Sequence, residues 1–117
     1  MSRSVLLQLV RDSIAEVFQA QRTIDKTILL KQHPILNQKI QTTINIYLDD
    51  ELIGSSSSKD NSKTLLESII FNAKKSAFED KNFTPLTTSQ YLSCEIELIL
   101  NTSEGIMSEK DPPILKN

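Results

Sequence analysis

Two clusters and two single residues in this chain have types and spacings that could do chemistry. The first cluster is GSSSSKDNSK, residues 54–63, where Gly54 is followed by Ser55, Ser56, Ser57 and Ser58, then by Lys59 and Lys63. Hydroxyls, free backbone amides and two ammonium groups leading into a helix start could hold an anion. No Gly-Lys-Ser/Thr ending follows at the spacing of a Walker loop. The same composition also describes a flexible polar loop. A run of serines without a neighbouring histidine makes no catalytic triad. The second cluster is Glu95 and Glu97, two apart in an alternating segment and so on one side of a strand. They could form an acid/base pair, or simply an exposed strand face.

The single residues are quieter. Cys94 falls in the apolar row Leu92, Cys94, Ile96, Leu98 and Leu100, where a thiol acts as a small hydrophobe; a nucleophile wants a basic neighbour and partial exposure. His33, the sole histidine, sits beside Pro34 with no converging ligands, so no metal site is expected there. Asp49, Asp50 and Glu51 mark a solvated turn, because a calcium loop spreads its ligands over a longer spacing. No catalytic residue is assigned, and no cofactor or metal is expected.

Composition sets the frame for these groups. The 117 residues are expected to form one domain, residues 1–117. A net charge of −2 gives no attraction to phosphate backbones, so nucleic acid is not an expected partner. One cysteine allows no intramolecular disulfide. Residues 5–10 are too short for a signal-peptide core, and no run reaches the ~18 apolar residues of a membrane span. A cytoplasmic protein without a membrane partner is expected.

The elements that would position the candidate groups can be read in order. Residues 4–21 have helical periodicity, with Leu6, Val10, Ile14, Val17 and Phe18 inward and Arg11, Asp12, Glu16 and Gln19 elsewhere; Ser2 or Ser4 caps the start. Residues 23–37 form a connector in which Pro34 forces His33 out of helical geometry. Residues 40–48 alternate as a strand with Ile40, Thr42, Ile44, Ile46 and Leu48 on one face. Asp49-Asp50 turns it into a hairpin that runs to about Ser56. Thr64 and Glu67 fit a capping box opening a helix with Leu66, Ile69, Ile70, Ala73 and Ala77 inward. The two alanines would let a neighbouring backbone come close, while Lys75 and Glu79 are spaced to pair on the solvent side. Phe83 is expected to plug into the core, and Pro85 to fix the exit. A turn or short capped helix at residues 87–89 leads to a strand over residues 92–100. One short edge segment near Ile106 and a frayed tail over about 108–117 complete the chain. The predicted fold is α+β, a mainly antiparallel sheet with two principal helices in the order α-β-β-α-β.

This order, and several of its words, resembles the AMMECR domain family. The match rests on Ala73 to Thr87, AKKSAFEDKNFTPLT, and on LSCEIEL at residues 92–98, with LLQLVRDSI, the TTINIYLDDELIG hairpin and Phe71-Asn72-Ala73 at the expected distances. Members of the family usually carry Arg-Gly-Cys-x-Gly at the end of the hairpin. Here Ile53, Gly54, Ser55, Ser56 and Ser57 stand there, so the first glycine is kept while the arginine and the thiol are absent. The family domain also continues beyond the length of this chain. The resemblance therefore implies a shortened, divergent member without the chemistry assigned to that motif. A non-enzymatic interaction or scaffold protein is expected, its partner a second copy of itself or another protein. The alternative is a small-molecule or anion-binding enzyme using the Ser-rich loop at residues 54–63, with Glu95 or Glu97 nearby.

Overall fold

The structure, a computed structural model, describes residues 3–115. Helix α1, Val5–Gln19, starts where the Ser4 hydroxyl accepts the Leu7 amide at 3.1 Å and ends at Ala20, whose left-handed backbone closes the last turn. Leu7, Leu9, Val10 and Ile14 form its buried stripe, while Val17 is half exposed. Arg11 and Glu16, expected to lie off the apolar stripe, are both buried. Periodicity assigns a face by residue type, and these two charges go inward because each meets a partner there.

The connector holds α2, Lys26–Gln32, capped by Asp25, and a 3-10 turn, Pro34–Asn37. Between them His33 is non-helical, as Pro34 requires. Leu36 is the anchor of this segment and is fully buried. The Glu16 carboxylate accepts the Thr23 and Ile24 amides and the Lys74 ammonium, tying the connector to the helices. Burial tends to raise the Glu16 pKa, but those amides and the ammonium outweigh it and hold the carboxyl below its ordinary value.

Strands β1, Gln41–Leu48, and β2, Glu51–Ser57, form the predicted hairpin. Asp49 and Asp50 both have positive φ, 51° and 65°, the geometry of a two-residue turn that matches strand twist. A bulge opposite Ile46 and Tyr47 leaves Ile53 as the extra residue of β2. Strands β3, Glu95–Thr102, and β4, Gly105–Asp111, complete an antiparallel sheet of order β2-β1-β3-β4. Ile44, Ile46, Ile96 and Leu98 are fully buried on its inner face.

Helix α3, Leu65–Phe78, packs on β1 and β2 and lies beside α1. Leu65, Leu66, Ile69, Ala73 and Ala77 are its buried stripe. The Thr64 hydroxyl accepts the Glu67 amide at 3.3 Å, which is the first half of a capping box. The box with both halves opens α4, Thr88–Ser93, where Thr87 and Gln90 bond reciprocally.

The structure corrects four expectations. Residues 54–57 of the Ser-rich stretch lie in β2, so the loop begins only after Ser57. Alternating hydroxyls suit a strand with one buried and one open face as well as they suit a loop. Leu92 belongs to α4, and the strand begins at Glu95. Leu86, 5% exposed, fills the place expected for Phe83, and its amide donates to the Ala77 carbonyl at 2.7 Å. The tail is ordered at least to Asp111, because β4 pairs along its whole length with β3; its last two residues, 116 and 117, lie outside the described part.

Candidate functional site

Strand alternation splits the serines between two environments. Gly54 and Ser56 face α3, and the Ser56 hydroxyl donates to Asn72 Oδ1 at 2.7 Å. Asn72 Nδ2 donates to Thr42 Oγ1 at 2.8 Å and to Ser58 Oγ at 3.1 Å. Ser68 closes the network through Ser58 at 2.7 Å and Thr42 at 2.8 Å. No buried side-chain nitrogen or oxygen among the described residues lacks a partner. Ser56 is thus spent on fixing α3 to the sheet.

Ser55 faces the other way and joins one member of the acidic pair. Its hydroxyl donates to Asn45 Oδ1 at 2.7 Å, and Asn45 Nδ2 donates to Glu97 Oε1 at 3.0 Å. Tyr47 donates to the same carboxylate oxygen at 3.2 Å. Burial raises the Tyr47 phenol pKa, helped by the nearby charges of Glu97 and Glu95. Glu95 sits opposite Tyr47 in the ladder. The serine and glutamate clusters therefore meet through Ser55 and Glu97, on the sheet face away from the helices, in a ladder of cross-strand polar contacts.

The remaining members of the first cluster converge elsewhere. Ser57, Ser58, Lys59 and Lys63 line a concavity of about 180 Å³ with Phe71 and Lys75 of α3. The Lys63 ammonium lies 4.6 Å from the Phe71 ring centroid and that of Lys75 5.6 Å. Among the described residues, ion pairs occur only at Arg3, Arg11 and Lys74. The expected Lys75–Glu79 pair is absent, and Lys75 turns to the aromatic ring. Asp60 also lines this concavity. Hydrogen bonds from the Ser62 hydroxyl and amide, with a smaller effect from Lys63, hold its carboxyl below the usual range. Phe71 and Lys75 were not among the candidate residues of the sequence. The signal was Phe71 itself, an aromatic outside the apolar stripe and four residues before a lysine.

A further cluster, centred on Arg11, was not read from the sequence. Arg11, 1% exposed, donates through Nε to Asp111 Oδ2 at 2.6 Å, and through Nη1 and Nη2 to the Tyr91 and Cys94 carbonyls at 2.8 Å. Arg3 takes the other Asp111 oxygen at 2.7 Å. Cys94 Sγ lies 3.5 Å from Arg11 Nη1, so it has a basic neighbour after all. Burial nevertheless dominates and pushes the thiol pKa up. Cys94 is therefore expected to resist a disulfide reagent in the native protein and to react at the rate of unfolding. Stopped-flow thiol labelling across a denaturant series checks this; rapid labelling without denaturant would contradict it.

Among the described residues no group of three His, Cys, Asp or Glu side chains could hold a metal ion, and no helix is long and apolar enough to cross a membrane. An antiparallel four-stranded sheet with α1 and α3 on one face defines the chain as an α+β domain. The sequence profile of the AMMECR1 family matches residues 7–112, and the chain belongs to that family. The fold is similar to the crystal structure of an uncharacterized protein, PH0010, from Pyrococcus horikoshii, with a TM-score of 0.70 and 22% identity. That likeness covers 81% of this chain and 48% of the other, so the chain spans about half the length of that protein. No curated protein matches the chain.

Proposed function

We propose that this AMMECR1-family domain is a non-enzymatic interaction module, and that its partner is a second copy of the same chain joined along β4. The supporting observation is the inequality of the two sheet edges. At β2 the bulge at Ile53 interrupts the edge, and Asp80 accepts the outward Ser55 amide at 3.0 Å. At β4 seven residues run along the edge, with Ile106 74% and Met107 62% exposed. Thr102 and Gly105 flank a two-residue turn. In such a hairpin that pair exchanges hydrogen bonds, so alternation turns the backbone groups of Ile106, Ser108 and Lys110 outward.

An open strand of this kind adds another strand readily. Antiparallel self-pairing about Ser108 sets Ile106 against Lys110 of the second copy, and Met107 against Glu109 of the second copy. No like charges meet in that register. Sedimentation equilibrium is expected to show a concentration-dependent dimer. Ser108→Pro removes one outward donor without touching the β3–β4 ladder, and is expected to weaken the dimer at least ~10-fold. A protein that sediments as a monomer at every concentration overturns the proposal.

A further inference from the structure

We infer that the concavity between the end of β2 and the outer side of α3 binds a small phosphate monoester. Three lysines, Lys59, Lys63 and Lys75, border it, and none of them has a carboxylate within ion-pair distance among the described residues. Two of these ammonium groups crowd one Phe71 ring, which offers a weak attraction to each and leaves their mutual repulsion in place. An anion among them removes that repulsion. Asp60 is the one acid on the rim, and its ionised carboxylate leaves a formal surplus of two positive charges. That surplus matches a phosphate monoester, whose second ionisation near pH 6 makes it a dianion at neutral pH.

Size and lining narrow the ligand further. A volume of about 180 Å³ lies below the roughly 300 Å³ at which pockets for drug-sized molecules begin. Phe71, 48% exposed, gives the ester's carbon skeleton an apolar surface, while the Ser57 and Ser62 hydroxyls on the same rim are already paired with Thr43 and Asp60. The Ser58 hydroxyl is already engaged with Ser68 and Asn72, so it borders the site without being free to serve it. Binding here is independent of the β4 edge, and neither property stands or falls with the other.

The test is an amide NMR titration at low salt with phenyl phosphate, inorganic phosphate and a phosphoserine peptide as probes. Phenyl phosphate is expected to shift residues 57–63 and 71–75 as one saturable set, and to bind more tightly than inorganic phosphate. The double variant Lys63→Ala/Lys75→Ala, which removes one exposed and one half-buried side chain, is expected to weaken phenyl phosphate at least ~10-fold, while Lys31→Ala on α2 leaves it unchanged. Phe71→Ala is expected to bring phenyl phosphate down to the affinity of inorganic phosphate. Affinity should also fall as pH drops below 6, where the monoester loses one charge. Three outcomes overturn the inference. They are shifts scattered over lysines throughout the chain, affinity unchanged in the double variant, or tighter binding of the phosphopeptide with shifts beyond these residues.

Discussion

Replacing Gly54 by valine is expected to leave the chain unable to fold, and Gly54→Ala to lower the melting temperature by roughly 10 °C. A Cβ at this position would overlap the Ser76 carbonyl oxygen of α3 and lie 3.2 Å from the carbonyl carbon. The obstacle is backbone, so no side chain can swing aside to relieve it. Either α3 lifts from the sheet or β2 is pushed out of register with β1. Lifting α3 breaks the hydrogen bonds that Asn72 makes to Thr42, Ser56 and Ser58, and opens the apolar contact of Ile69 and Ala73. Overpacking of a filled interior costs about 1–3 kcal/mol when side chains can yield, and this contact falls at or above the upper end. Ser55→Ala, one residue along on the open face, loses a single hydrogen bond to Asn45 and should cost ~1 kcal/mol. Thermal and urea melts of the three variants, read by far-UV circular dichroism, measure the contrast. A Gly54→Ala protein as stable as the parent would show that β2 and α3 have room to separate.

The same contact explains why glycine stays where the arginine, cysteine and second glycine of the related motif are replaced. Gly54 serves the packing of strand against helix, because any Cβ there would meet the backbone of α3. The sequence signalled a close approach through Ala73 and Ala77, and the structure places the approach between them, at Ser76. The strand over residues 40–48 and its Asp49-Asp50 turn were legible because one face is apolar except for Thr42 and the turn has only two residues. By contrast, GIMSEKD shows only a short edge segment near Ile106 in the sequence, although the whole of it is a strand. An edge strand with most of its side chains in water carries little periodicity, and only its pairing with β3 reveals it.

The candidate clusters were legible as residue types and illegible as a site. Nothing in the spacing of four consecutive serines tells which hydroxyls turn under α3, because that depends on where β2 begins and on the bulge at Ile53. Once the register is known, Ser56 goes to the internal network, Ser55 to Glu97 through Asn45, and Ser57 to Thr43 at the border of the lysine-lined concavity. Phe71 and Lys75 join that concavity from α3, and their role follows from the packing angle of the helix, which one-dimensional patterning does not contain.

Arg11→Met is the second substitution expected to have a large effect, because it removes one partner of a buried ion pair formed across 100 residues of sequence. Side chains of Arg11 and Asp111 are 1% and 4% exposed and meet at 2.6 Å. The guanidinium also satisfies the carbonyls of Tyr91, Cys94 and Pro112, at the junction of α4, β3 and the end of β4. Its loss leaves three carbonyls with fewer donors and Asp111 with Arg3 alone. Breaking a buried pair by removing one member costs about 3–5 kcal/mol, which for a domain of this size is a fall in melting temperature of roughly 15 °C. Asp111→Asn keeps the shape and a hydrogen-bond acceptor, yet leaves the Arg11 charge uncompensated, and is expected to cost nearly as much. The double variant Arg11→Met/Asp111→Leu removes both charges and should be more stable than either single variant, since burying two ions carries its own desolvation cost. With the single variant Asp111→Leu added, a double-mutant cycle from urea melts gives the coupling energy directly. Additive losses would mean that the guanidinium works through its carbonyl contacts, and that the β4 end is held by pairing with β3 rather than by the charge.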